Sequence, residues 1–302
     1  MAINRAQIAK ELEPGLNAIF GQEYGRYDGE YKDLFDLETS KRAYEEELLF
    51  PGLGGAVTKP EGGTVTYDTT GEAWVARYHH ETVALAFAIT EEAMEDNLYE
   101  SLSKRLSKSL ARSMVHTKEV KAANVYNRAF NATYTGGDGV VLLSTAHPLK
   151  SGGTFANKPT TDVDLSETAI EDAMIAIWGF VDDRALPIAV RAKKLIIPRN
   201  LVFVAERLLN SPNRTGTSDN DISAIYSKGV FPEGYVVNQR LTDTDAWFIR
   251  TDCPDGMKFF QRVSVSNKME GDFETGNMRY KARERYSMGW SDPRALYGSQ
   301  GA

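Results

Sequence analysis

The run from residue 90 to residue 131 constrains the fold more than any other, because no proline interrupts it and its apolar residues keep a helical spacing. Met94, Leu98, Leu102, Leu106, Leu110 and Met114 recur every four residues, which marks a stripe along a helix. Thr90 followed by Glu91 and Glu92 supplies an N-cap with acids in the first turn, and Gly136-Gly137 follows the far end. Lys104, Arg105, Lys108 and Arg112 fall on the other faces. At about 1.5 Å per residue, a helix of roughly forty residues spans roughly 60 Å. That exceeds the width of a compact domain, so a 302-residue chain built on it is expected to be elongated.

The segments before this helix cannot stand alone. Residues 1–45 are polar and charged, with scattered anchors at Tyr24, Tyr27, Tyr31, Leu34 and Phe35, and read as an arm that must lie on something else. Prolines and glycines then break residues 46–71 into turns. Thr64 to Tyr67 and Trp74 to Tyr78 have strand composition, and Thr69-Thr70-Gly71-Glu72 between them reads as a turn. Val83, Leu85, Phe87 and Ile89 continue the alternation. The result is a long two-stranded hairpin, a unit that is marginal in water without outside support.

After the helix, residues 134–165 form a glycine-rich loop around Leu142–Pro148. Leu165-Ser166-Glu167-Thr168 opens a second helix of about fifteen residues. Lys194–Pro198 reads as a buried strand and Asn200–Leu209 as a helix stopped by Asn210-Ser211-Pro212. Residues 211–222 are polar and read as a mobile stretch. Strand-like runs follow at 234–238, 246–250 and 258–265, so the fold class is α+β. Glu270, Asp272 and Glu274 alternate, as do Arg279, Lys281, Arg283 and Arg285, which puts each set on one strand face. A two-residue turn at Thr275-Gly276 would set Asp272 opposite Arg279 and Glu270 opposite Lys281.

Bulk properties narrow the function classes. The net charge is −7, which argues against a protein that grips nucleic acid over a broad basic face. The single cysteine, Cys253, excludes an intrachain disulfide. No signal-like or membrane-length apolar run occurs, so no membrane partner is expected and the chain is expected to be made in a cytoplasm.

Site chemistry is sparse. Adjacent His79 and His80 on a strand point to opposite faces and cannot easily share a metal. His116 lies on the long helix. His147 has Ser144 and Asp138 nearby in sequence, but no Gly-x-Ser-x-Gly elbow accompanies them. A hydrolase using Ser144 and His147 is therefore the enzymatic alternative, and a loop-fixing histidine the structural one. Asp219-Asn220-Asp221 and Asp243-Thr244-Asp245 resemble calcium-loop fragments but lack the glycine and distal glutamate. No phosphate-cradling glycine motif and no cysteine pair for zinc is present. The expectation is no catalytic, cofactor-binding or metal residues, no cofactor and no enzyme activity.

The order of these parts resembles the Hong Kong 97-like capsid fold of tailed bacteriophages, and more narrowly the Mu-like major head subunit family. The resemblance covers about residues 44–302 and is carried by Phe87–Glu92 with Asp96–Tyr99, Leu142–Pro148, Leu195–Pro198, Leu241–Phe248 and Arg283–Tyr297. It implies an N-terminal arm at 1–45, an extended loop at 46–86 and a peripheral domain with its spine helix at 87–164. It further implies an axial domain at 165–262 and return strands of the peripheral domain at 263–302. The implied function is a major capsid protein that assembles through hexamers and pentamers into an icosahedral or prolate shell. That shell would enclose double-stranded DNA without sequence-specific binding.

Implied partners are other copies of the chain, a portal at one vertex and, in some relatives, a cement or decoration protein. Only about 45 residues precede the loop, so a separate scaffolding protein is expected rather than a cleaved scaffold segment. Lys59 sits near the loop tip, but nothing else supports covalent cross-linking, and none is expected. The same fold also builds encapsulin-like cellular compartments, the second structural reading, and a minor or decoration protein is a third.

Overall fold

The computed structural model describes residues 5–26, 28–90, 92–93, 99–214, 221–272 and 274–302. Among the described residues, six α-helices run in chain order: α1 Arg5–Tyr24, α2 Tyr31–Leu34, α3 Tyr99–Asn127, α4 Glu167–Trp178, α5 Val202–Asn210 and α6 Ala224–Lys228. The strands are β1 Asp36–Thr39, β2 Tyr44–Leu48, β3 Val75–His79, β4 Glu81–Ile89, β5 His147–Pro148, β6 Thr154–Phe155, β7 Ala192–Pro198, β8 Tyr235–Asn238, β9 Trp247–Thr251, β10 Met257–Gly271, β11 Met278–Trp290 and β12 Leu296–Ser299.

The long helix is α3. Its 29 residues span about 44 Å at 1.5 Å each. Thr90 Oγ1 accepts from Ala93 N at 3.4 Å, while Met94 and Leu98 lie outside the described residues. The expected stripe coincides with the buried face only from Leu110 to Met114, with Leu106 half-buried. Leu102 is 45% exposed, whereas Ser103, Ser107, Leu110, Ala111, Met114, Ala122, Ala123 and Tyr126 are buried. The cause is geometric: four residues advance a helix by about 400°, so a strict four-residue repeat drifts by about 40° per step. Small Ser103 and Ser107 instead let α1 approach, and Ser107 Oγ donates to Leu16 O at 3.2 Å. The amino-terminal arm thus packs on its own chain. Leu16 and Phe20 of α1 join Leu110, Ala111 and Met114 of α3 and Tyr280 and Ala282 of β11 in one apolar cluster.

The first sheet has the order β1-β10-β11-β4, with β1 parallel to β10 and the other pairs antiparallel. Tyr280, Ala282, Glu284 and Tyr286 of β11 face inward, and Arg279, Lys281 and Arg283 face solvent, as period two requires. The hairpin register differs from the expected one. Glu270 pairs with Arg279, Lys268 pairs with Lys281, and Asp272 N donates to Asn277 O at 2.8 Å. The connection is longer than two residues because Gly276, at φ +66°, closes back with its N–H on Asp272 O at 2.9 Å. Asp272 still reaches Arg279, but diagonally.

The extended hairpin is also redistributed. Its arms are β2 and β3, paired from Tyr44↔His79 to Leu48↔Val75. Residues 49–74 form no strand. The chain reverses where Gly63 N donates to Pro60 O at 3.0 Å, not at 69–72. Thr64–Tyr67 has strand chemistry but no strand beside it, so its backbone stays unpaired.

The second sheet has the order β12-β9-β7-β8. Leu195, Ile196 and Ile197 of β7 and Trp247, Phe248 and Ile249 of β9 are fully buried. Ser166 caps α4 by accepting from Ala169 N at 3.2 Å. The polar stretch after α5 closes through an Asn213↔Ile222 bridge, and 215–220 lie outside the described residues. β12 pairs with β9 in this second sheet and does not join the return hairpin. Gly298 allows it: a Cβ there would meet Leu143 Cδ1, Phe248 Cδ1 and Trp247 O, each at 2.9 Å. A single large core links the two sheets through Tyr126, which stacks edge-on against Phe35 and Phe248.

Candidate functional site

The Ser144–His147 region holds a fastened loop. His147 is 1% exposed, with Nδ1 2.6 Å from Asp138 Oδ2 and Nε2 3.1 Å from Asn157 Oδ1. Asn157 donates through Nδ2 to Leu142 O at 2.7 Å and Pro293 O at 2.9 Å, and its Oδ1 accepts from Ser144 N at 2.8 Å. Ser144 Oγ accepts from Ala146 N at 3.1 Å. Both imidazole nitrogens are thus committed, and neither is directed at the serine hydroxyl. A nucleophilic pair needs the base on the nucleophile. The ring also stacks on Phe155 at 5.0 Å, which fixes the loop onto β6. Asn157 was not singled out from the sequence, and no spacing marks it.

The other candidates disperse. His80 is buried between Ser40 Oγ and Ser287 Oγ, each at 2.9 Å, while His79 is exposed beside Tyr44. His116 is exposed on α3. Asp243 and Asp245 form a local turn, with Asp245 N on Asp243 Oδ1 at 3.1 Å. Asp219 and Asn220 lie outside the described residues. Among the described residues, no group of three or more His, Cys, Asp or Glu is placed to hold a metal ion. Among them too, no helix is long and apolar enough to cross a membrane. Cys253 is buried, and burial raises its thiol pKa.

A buried charged cluster that no sequence pattern marks lies under the arm. Lys118, 3% exposed, pairs with fully buried Glu284 at 2.6 Å. The rings of Tyr24, Tyr31 and Tyr286 surround its ammonium at 5.1, 5.4 and 5.4 Å. Tyr24 Oη donates to Glu284 Oε2 at 3.0 Å, and burial beside Glu284 holds the Tyr24 phenol well above its usual pKa. Adjacent Glu119 accepts from Tyr31 N at 3.1 Å, while its Oε1 has no partner among the described residues. Burial pushes its carboxyl up to about 7. Helix α1, helix α2, helix α3 and β11 all meet at these charges.

The 49–74 loop is clasped only at its base. Asp68 accepts from Gly54 N at 2.7 Å and pairs with Arg184 at 3.2 Å. These contacts hold the Asp68 carboxyl below its usual pKa, the Gly54 N–H most of all. Along this loop Phe50, Leu53, Val57, Val65 and Tyr67 are 62–93% exposed, the last three of them beyond the clasp. On the second sheet's helices, Ile175, Trp178 and Phe203 are also more than half exposed. The 49–74 loop thus carries five large apolar side chains in solvent, more than isolated surface residues would give.

Residues 74–299 match the family described as phage capsid protein. No curated protein matches the chain. Solved structures share its fold at low identity. The capsid of a native GTA particle superposes with a TM-score of 0.55 at 13% identity, over 91% of this chain and 90% of that one. The structure of Mycobacterium phage Che8 gives 0.53 at 11% identity, over 90% and 92%. A virus-like particle from Pyrococcus furiosus gives 0.51 at 9% identity, over 94% and 97%. The chain belongs to the phage capsid protein family and is a shell-forming subunit with the Hong Kong 97-like fold.

Proposed function

We propose that this subunit closes, through hexamers and pentamers, into the head of a tailed phage around double-stranded DNA. The observation that carries this reading is the incompleteness of the monomer. A loop of about 25 residues presents five large apolar side chains and is clasped only at its base. A neighbouring subunit is the natural cover. In this layout α3 and the first sheet form a peripheral domain, and the second sheet with α4 to α6 forms an axial domain around the capsomer centre. Residues 49–74 are the extended loop. Assembly proceeds in the host bacterial cytoplasm with a separate scaffolding protein, a portal at one vertex and a cement protein where one exists. The role is structural; the buried His147, held by Asp138 and Asn157, supports a loop-fastening part for it in that role.

Electron microscopy of the overexpressed chain, alone and with a candidate scaffold, tests this directly. Closed shells or capsomers are expected, and a monodisperse monomer under every condition would refute the proposal. His147→Ala separates the enzymatic alternative: loss of a hydrolytic turnover with assembly intact would favour it. A second reading of the same fold is an encapsulin-like cellular compartment; the virus-like particle from Pyrococcus furiosus shares the fold. Nucleic acid inside native particles decides for the phage head, and protein cargo for the compartment.

A further inference from the structure

We propose that the open face of the first sheet is an electrostatic contact surface for an acidic segment of a second copy of this chain. On β11, Arg279, Lys281, Arg283 and Arg285 share that face. In-face positions on a strand recur about every 6.8 Å, so the four cations span about 20 Å. Lys268 of β10 lies directly opposite Lys281, and Ser266 opposite Arg283. On the other side, Ala84, Ala86 and Ala88 of β4 oppose Arg283, Lys281 and Arg279. These side chains are too short to cover the cations.

Little of this charge is met within the chain. At the hairpin end Glu270 lies directly opposite Arg279 and Asp272 pairs with it, and Arg285 donates to the carbonyls of His80 at 3.4 Å and Ala43 at 3.5 Å. Lys268, Lys281 and Arg283 make no ion pair among the described residues, and all three are exposed. Like charges directly opposite one another destabilise an antiparallel pair. An anion from outside relieves that opposition.

The charge of the whole chain selects the anion. Each copy carries −7, so unguided contacts between copies set acid against acid. A subunit that assembles needs a basic pole to meet its own acidic surface, and complementary charge sets register at such contacts. This inference rests on the shell-forming reading. Duplex DNA is the competing polyanion, and the experiment separates the two.

The full-length double variant Lys281→Glu/Arg283→Glu is compared with wild type. Its monomer is expected to melt at the wild-type temperature or above, because the new carboxylate would face Lys268 as an opposite charge. Its yield of closed particles is expected to fall by about tenfold or more, and wild-type yield to fall as salt rises from about 50 to about 500 mM. The neutral variant Lys281→Gln/Arg283→Gln is expected to lie between them, and stands in if the reversal fails to fold. Wild-type yield of particles from the variants would overturn the inference and leave the shell reading intact. So would normal shells from the reversal together with lost affinity for a short DNA duplex, which would reassign the face to DNA. A wild-type chain that forms no particle would overturn the shell reading, and this inference with it.

Discussion

Lys118 and Glu119 are neighbours in sequence, yet each meets a different part of the fold. Lys118 is bound to Glu284 inside a ring of three tyrosines, and Glu119 supports the start of α2. Removing one partner of a buried pair leaves the other charge stranded, which costs about 3–5 kcal/mol. Lys118→Met is therefore expected to lose about that much in chemical denaturation, and Lys118→Met/Glu284→Leu to recover much of it. Glu119 has the opposite sign of dependence from a salt-bridged acid. Its docked carboxyl titrates near 7, against an ordinary value of 4.5. The arm's docking is fully supported below pH 4.5 and weakens as pH rises towards 7. The groups facing it are Glu30 and Tyr31 of the arm, Lys118 beside it and Arg240 beyond β8. Hydrogen exchange of residues 13–35 should show this loss of protection, and Glu119→Gln should flatten it. Nothing in the sequence around Lys118-Glu119 distinguished them from solvated helix charges, since their partners lie in α1, α2 and β11.

At the scale of elements, helices and buried strands were legible and pairings were not. Helix α4 with its Ser166 cap and strand β7 appear where periodicity and turn residues placed them, because those signals are local. The Thr64–Tyr67 segment failed for the converse reason: strand chemistry needs a partner strand, and the chain provides none there. The β10–β11 turn missed its register by the width of one tight loop, enough to set Lys268 against Lys281. The exposed loop side chains make a clear prediction. Val57→Asp with Tyr67→Asp touches no packed core, so monomer stability should change by less than about 0.5 kcal/mol. Particle yield should collapse, as read by sedimentation. Equal yields would show that the loop tip contributes nothing to assembly.

For the whole molecule, one core joins both sheets through Tyr126, and the amino-terminal arm seats on α3 and β11. The core is thus closed within one chain, while the large apolar side chains of the 49–74 loop stay outside it. Lys59 is exposed in that loop with no built site around it. Particles boiled in denaturant are expected to run as an intact monomer band on a gel, and covalent ladders would contradict this. The broad outline was legible in the linear order of a long helix, a turn-rich loop and alternating strands, since each reflects local periodicity and composition. The sequence placed His147 beside Asp138, and the structure joins the two side chains and adds Asn157. The arm's seat, the face of α3 that is buried, the partner of β12 and the Lys118–Glu284 cluster came only from three dimensions. Each depends on contacts between residues far apart in the chain or on a helical phase that accumulates over many turns. No local pattern encodes such distances; they follow from how whole elements pack.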